Sequence, residues 1–411
     1  MKVLQINKFF FIKGGAERYF FDLAELLTKK AHQVSVWSAQ HPQNFHLPEE
    51  KDFAKLIDFS DQPGFSKVFK KARRIFWNKE AKKKLEKIVK YKKPDIAHLH
   101  NIFSHFSPSI IFALKKYNIP IAMTLHDYKL FCPNYKFFSQ KQACFDCLKE
   151  KDYRFCLTKK CIKDSYIESL GGYLEGIWQR DFLKVAEQID VFLAPSLFLK
   201  RKALAWGIPK EKIVYLPYFV NKSSLSLTPS NKDSYLLYFG RLSREKGVDL
   251  LIRSFLEISD QFPQVKLKIA GDGPEKENLE KLAGYHQQIE FLGIKKGKLL
   301  QKTIANACSI IVPSLWPENF PYAVLESLAL AKPVMAAKIG GLSEMIKNMK
   351  TGLLFKPNNQ NDLSAKMAWA LKHLKLINQM GRQGQAQVLS KYNPENHYKK
   401  IIKIYERVKH H

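Results

Sequence analysis

Short apolar runs of strand length recur along this chain, each followed by a stretch of helical periodicity. That alternation constrains the fold more than any other feature. Residues 3–6 read as a strand, and the turn Lys13-Gly14-Gly15-Ala16-Glu17-Arg18 follows. Tyr19, Phe20, Leu23, Leu26 and Leu27 then fall on one helical stripe, and residues 34–37 form the next strand. Later runs end in Asp95-Ile96-Ala97-His98-Leu99-His100-Asn101 and Ile121-Ala122-Met123-Thr124-Leu125-His126-Asp127, and residues 189–194 and 213–216 continue the pattern. Strands separated by helices build a parallel, doubly wound sheet. Ligands of such sheets sit beyond the carboxyl ends of the strands. Gly14, Gly15, His98, His100, His126 and Asp127 all fall there, which assigns them to one cleft.

A polar, Ser-rich stretch from Asn221 to Asn231 interrupts the alternation, which then starts again. Strands at 235–239, 265–270, 289–292 and 310–312 alternate with helical patterns at 248–258, 276–282 and 298–306. A chain of 411 residues exceeds one ordinary core. The expected fold class is therefore α/β, with two Rossmann-like doubly wound domains. The first would span 1–220 and carry a Cys-rich insertion at 132–161; a linker would occupy 221–233 and the second domain 234–395. A closing helix over 396–411 would pack back toward the N-terminal domain.

The second domain holds the most suggestive chemistry. Glu318-Asn319-Phe320-Pro321-Tyr322-Ala323-Val324-Leu325-Glu326 follows an apolar strand and opens a helix, with Pro321 suited to a first helical turn. Such a helix start attracts phosphate. A carboxylate does not bind phosphate, so the two acids suit sugar or ribose hydroxyls. The plainer alternative is a pair that compensates the helix dipole. Arg241 and Lys246, in Gly240-Arg241-Leu242-Ser243-Arg244-Glu245-Lys246-Gly247, leave a strand end and suit a diphosphate. Gly271-Asp272-Gly273-Pro274 reads as a structural turn, and the glycines of Ile339-Gly340-Gly341-Leu342 would let a ligand approach the backbone.

The cysteines are a separate signal: Cys132, Cys144, Cys147, Cys156 and Cys161 crowd one segment. Cys144-Phe145-Asp146-Cys147 has metal-ligand spacing, and Cys156 and Cys161 would complete a four-thiolate structural zinc site. Reduced, non-ligating thiols are the alternative, and the fifth cysteine leaves the ligand set open.

A net charge of +30 permits nucleic acid, an acidic membrane face or a phosphorylated substrate as partner. Residues 67–93 hold thirteen Lys/Arg and two Glu, interleaved with Phe69, Phe76 and Trp77. This stretch fits an anionic membrane surface or a solvated helix face better than a base-reading element, since no nucleic-acid-binding motif accompanies it. No apolar run approaches membrane-spanning length, and the N-terminal run is too short for a signal peptide. The expected location is cytoplasmic, peripheral on the inner face of the membrane.

In order and spacing, the segments Gly14-Gly15-Ala16-Glu17, Leu125-His126-Asp127, Gly240-Arg241-Leu242 with Lys246-Gly247, Gly271-Asp272-Gly273-Pro274, the pair Glu318 and Glu326, and Gly340-Gly341-Leu342-Ser343-Glu344 resemble the retaining, GT-B-fold glycosyltransferases of family 4. The resemblance covers essentially the whole chain. It implies two domains facing across a cleft, a nucleotide-sugar donor held mainly by the second and a glycan or lipid-linked saccharide acceptor held by the first. By position, Glu326 would hold the ribose hydroxyls, Glu318 a sugar hydroxyl, and Arg241 and Lys246 the departing diphosphate. Gly14 and Gly15 would bring backbone N–H groups to it, His126 would contact the sugar, and Phe320 would belong to the donor-binding set. His98, His100 and Asp127 are candidates for the acceptor side. The resemblance implies no catalytic metal, because Arg and Lys carry the positive charge. Ala331-Lys332-Pro333 departs from the family, which often has Gly before that Pro. A dinucleotide-dependent oxidoreductase is the rival enzyme class, but it lacks a strand-linked Gly-x-Gly-x-x-Gly here.

Overall fold

The computed structural model of the protein describes residues 1–57, 73–103, 105–220 and 234–409. The expected linker at 221–233 and residues 67–72 of the basic stretch lie outside the described residues. The chain forms two compact units. One comprises Met1–Lys136, Phe145–Pro217 and the C-terminal segment from His397; the other comprises Phe137–Cys144 and Tyr218–Asn396.

The first unit is built on a six-stranded sheet, all parallel, in the spatial order Ile213–Tyr215, Val191–Ala194, Ile121–Thr124, Ile96–Leu99, Lys2–Ile6, Gln33–Trp37. The strands Val191–Ala194, Ile121–Thr124 and Ile96–Leu99 are buried along their whole length, as apolar runs covered on both faces should be. Helix Gly15–Lys29 buries Tyr19, Phe20, Leu23, Leu26 and Leu27, the stripe that its sequence spacing predicts. Each such side chain contributes roughly 1.5–3 kcal/mol by leaving water. The C-terminal helix Pro394–Lys409 belongs to this unit from His397 onward, where it buries Ile401, Ile404, Tyr405 and Val408.

The second unit carries another six-stranded parallel sheet, ordered Ile289–Gly293, Lys266–Ala270, Tyr235–Phe239, Ser309–Val312, Val334–Ala337, Gly352–Phe355. In chain order this is 3-2-1-4-5-6. The direction of winding therefore reverses between Tyr235–Phe239 and Ser309–Val312, and a crevice opens beyond their carboxyl ends. Helix Val248–Leu256 covers one face with Leu251, Ile252 and Phe255, in a core shared with Leu267, Ile269, Met335 and Leu353.

Candidate functional site

The loops at that reversal point carry the charged residues. Lys246 follows the strand Tyr235–Phe239, and Glu318 follows Ser309–Val312. Their side chains meet: Lys246 Nζ lies 2.7 Å from Glu318 Oε1. Ser314 Oγ donates to the same oxygen at 2.7 Å, and the Lys246 ammonium sits 5.1 Å from the centroid of the Trp316 ring. The Glu318 carboxylate is buried, whereas Lys246 keeps part of its side chain in solvent. Arg241 is exposed in the preceding turn, where Tyr238 Oη donates to its carbonyl at 2.7 Å. Glu326 is half-buried at the fifth position of helix Tyr322–Ala329. An acid–base–hydroxyl cluster is thus fixed at the rim of the crevice, beside a helix start that no side chain caps.

Two glycines shape these loops. The turns at 240–242 and 270–275 are joined by backbone hydrogen bonds, Gly240 N to Ala270 O and Leu242 N to Asp272 O. A Cβ on Gly271 would come within 1.9 Å of the Gly240 carbonyl oxygen, so its structural reading is explained by close approach. Gly340 has φ +58°, and a Cβ there would lie 2.4 Å from Glu318 O. The space at Gly340 is therefore filled by the backbone of Glu318 itself, not by a ligand, and Gly341 N donates to Glu318 O at 2.6 Å. Pro321 also differs from expectation: it occupies the N-cap with extended φ and ψ, one residue before the first turn. Phe320, expected in the donor-binding set, is buried with its ring edge-on to Tyr218 and Tyr392.

In the first unit, Gly14 is the N-cap of helix Gly15–Lys29, and both Gly14 and Gly15 are exposed. The three histidines at the strand ends differ. His98 is fully buried, its Nδ1 2.6 Å from Tyr405 Oη and its Nε2 2.7 Å from Thr124 Oγ1. Both ring nitrogens are engaged within the core, so His98 does not line an acceptor surface. His100 is buried too and links Gln5 to His126: its Nε2 is 3.1 Å from Gln5 Oε1 and its Nδ1 2.9 Å from His126 Nε2. With Gln5 Oε1 as acceptor, His100 Nε2 donates and its Nδ1 accepts from His126. His126 is the member of this chain that keeps some exposure. Burial pushes its pKa down to about 3, with Lys8 acting in the same direction, so it is a neutral imidazole near neutral pH. Asp127 accepts from Lys129 N at 2.9 Å, and burial raises its carboxyl above the usual range. Gln5, Thr124, Tyr405 and Ser314 were not singled out from sequence. Thr124 and Ser314 carried a signal, their places at the carboxyl ends of strands.

The cysteine segment folds as a short hairpin, Phe138–Ser139 with Gln142–Ala143, followed by the helices Asp146–Lys149 and Arg154–Thr158. The expected zinc set of Cys144, Cys147, Cys156 and Cys161 is not assembled: among the described residues no three His, Cys, Asp or Glu side chains gather to hold a metal ion. The Cys156 thiol is paired first with Cys161, and burial and the nearby Cys132 and Cys147 add to an upward shift of its pKa. Cys144 instead belongs to the second unit. In the basic stretch, helix Lys79–Lys92 turns Ala81, Leu85, Ile88 and Val89 inward and packs on helix Ser109–Lys116. Its apolar face is consumed by the core. No helix among the described residues is long and apolar enough to cross a membrane.

Comparison with known proteins agrees with this architecture. Residues 13–224 match Glycosyltransferase Family 4 and residues 221–387 match Glycosyl transferases group 1. An uncharacterized glycosyltransferase of Methanocaldococcus jannaschii is 24% identical over 96% of this chain and 95% of its own length. A protein of the Klebsiella pneumoniae cps region is 26% identical over 84% of this chain and 87% of its own. Among solved structures, sucrose-phosphate synthase from Thermosynechococcus elongatus superposes with a TM-score of 0.72 at 17% identity, covering 99% of each chain. Anabaena HepE in complex with UDP and glucose gives 0.69 at 18% identity, covering 99% of this chain and 100% of its own. Two six-stranded Rossmann-like sheets and family matches spanning both place the chain in family 4 of the GT-B glycosyltransferases.

Proposed function

We propose that this glycosyltransferase moves a hexose from a nucleoside diphosphate to an acceptor hydroxyl with retained configuration, in the assembly of a cell-surface polysaccharide or glycolipid. The observation that carries the reading is the Lys246–Glu318–Ser314 cluster at the winding reversal of the second sheet. In transfer, the bond from the anomeric carbon to the diphosphate breaks as the acceptor oxygen bonds to the same face of the sugar, and the acceptor hydroxyl's proton passes to the departing diphosphate oxygen. Negative charge then grows on the diphosphate. Lys246 and Arg241 would stabilise it there, which lowers the barrier because the charges are already in place. Glu318 would accept a hydrogen bond from a sugar hydroxyl, and its ion pair with Lys246 would fix the distance between the sugar and phosphate subsites. Glu326 would accept the ribose hydroxyls. In the first unit, Gly14 and Gly15 would present backbone N–H groups to phosphate oxygens, and neutral His126 would hydrogen-bond the sugar. Arg and Lys supply the positive charge in this scheme, so no catalytic metal is invoked.

The relative from the Klebsiella cps region supports a polysaccharide context, and HepE was solved with UDP-glucose. Calorimetric titration with UDP, GDP and their glucose and mannose conjugates tests the reading. Lys246→Ala should weaken nucleotide binding roughly tenfold or more, the worth of one charge-assisted contact. Glu326→Gln should weaken it as well, while Glu318→Gln should spare UDP and lose the added affinity of the sugar. Stabilisation by NAD or an oligonucleotide and by none of these nucleotides would overturn the proposal.

A further inference from the structure

Helix Arg154–Thr158 ends in a motif that seats one cysteine against another. Cys161 N donates to Cys156 O at 3.0 Å and Lys160 N to Leu157 O at 3.1 Å, while Lys160 turns left-handed with φ +48°. Two nested bonds around a left-handed residue make a Schellman cap. In that cap the side chain three places before the C-cap residue meets the one two places after it. The C-cap residue is Lys159, so the two positions are Cys156 and Cys161. Such a contact is ordinarily apolar; two thiols make it a reactive pair. A disulfide needs Cα atoms about 4.4–6.8 Å apart, and a turn closed by this backbone bond holds its ends within that reach. The Cys156 thiol is shifted upward by contact with Cys161 first and by burial second.

The pair is tied to the loop that runs on from His126 and Asp127. Cys161 packs on the small core of Cys147, Tyr153 and Cys156, and Tyr153 Oη donates to Leu130 O at 2.7 Å. Asn134 Nδ2 donates to Cys161 O at 3.3 Å, and its Oδ1 accepts from Cys132 Sγ at 2.9 Å. Access divides the two thiols: Cys156 is buried and Cys161 partly exposed. We propose that Cys161 and Cys156 are a reversible disulfide site, a clasp at this helix end that closes on exposure to a hydroperoxide. Cys161, as thiolate, attacks the peroxide; the O–O bond breaks, Cys161 becomes a sulfenic acid, and the leaving oxygen departs as water or alcohol with the thiol's proton. The Cys156 sulfur then bonds to the Cys161 sulfur, the S–O bond breaks, and water leaves with the Cys156 proton. Two thiols have given up two electrons, and the peroxide has taken them. A dithiol reductant reopens the bridge by exchange. Closed, the clasp locks the helix end to which the 127–134 loop is bonded.

The site does not depend on the donor chemistry, and it is read without nucleotide. The reduced full chain is treated with hydrogen peroxide, alkylated and digested with trypsin, then analysed by mass spectrometry. Trypsin cuts after Lys159 and Lys160 and separates the two cysteines unless they are bridged. A cross-linked pair holding Cys156 and Cys161, lighter by two hydrogens than its separate peptides, should accumulate in most of the chain and vanish with dithiothreitol. In Cys156→Ser, Cys161 should climb instead to the sulfinic acid, for want of a thiol to trap the sulfenic acid. Cys161→Ser changes the partly exposed partner, so it should keep the parent's melting temperature and leave Cys156 reduced. A bridge from Cys156 to Cys132 or Cys147, sulfinic acid at Cys161 in the parent chain, or no bridge at all would each overturn the proposal. So would zinc in the purified chain that peroxide expels, which would assign the thiols to a metal.

Discussion

Glu318 is held from three directions, by Lys246 and Ser314 on its carboxylate and by Gly341 N on its carbonyl. Gly340 makes the last contact feasible, because its φ of +58° and missing side chain leave room for the Glu318 backbone. Gly340→Ala should therefore destabilise the protein by about 2–4 kcal/mol, the sum of left-handed strain and a steric clash, and reduce transfer by displacing Glu318. Gly171→Ala is the control. That residue is helical and exposed with nothing within 4 Å of its Cβ position, so alanine should add about 0.5–1 kcal/mol. Urea unfolding of the two variants checks both signs, and equal stabilities would refute the packing argument. The residue scale is also where sequence was least legible. His98 and His126 both end apolar runs, yet one is a core residue and the other keeps exposure. The difference is made by Tyr405 and Thr124, which lie 307 and 26 positions from His98. No local pattern encodes such distant partners.

At the scale of elements, periodicity identified strands and helices well, because burial of an apolar run or stripe is a local property of the chain. It could not say what a stripe faces. Helix Lys79–Lys92 has the amphipathic pattern expected of a membrane-surface helix, but it packs on helix Ser109–Lys116. Cysteine spacing misled for a related reason: Cys144 and Cys147 are close in sequence, while the thiols around Cys156 include Cys132 from the loop after strand Ile121–Thr124. This arrangement predicts a labelling order. Cys144 and Cys161 are partly exposed, whereas Cys132, Cys147, Cys156 and Cys308 are buried. Maleimide treatment of the native protein should modify the first two quickly and the other four only after unfolding, as read by peptide mass spectrometry. Cys156 should be slowest within its cluster, since contact with Cys161 and burial both keep it protonated. Labelling of Cys156 as fast as Cys144 in folded protein would contradict the packing.

For the molecule as a whole, acid sensitivity is concentrated in one unit. His98, His100, His105, His126 and His397 all belong to the first unit, and burial lowers the pKa of each. For His105, His126 and His397 the value reaches about 3. In the unfolded chain these groups return to about 6.5, so below that pH the unfolded state binds more protons than the folded state. Their contribution is fully present above pH 6.5 and is lost progressively as pH falls toward 3, at about 1.4 kcal/mol per pH unit for each independent group. Charge repulsion in a +30 chain also grows with acid, but salt screens it and leaves buried imidazoles almost untouched. Urea midpoints between pH 7.5 and 5 should therefore fall steeply at both low and high salt, with the first unit unfolding before the second. Hydrogen exchange resolves the two units, and His397→Gln should flatten the pH slope by one proton's worth. A midpoint constant over that range, or one restored fully by salt, would mean that the buried histidines do not govern the response.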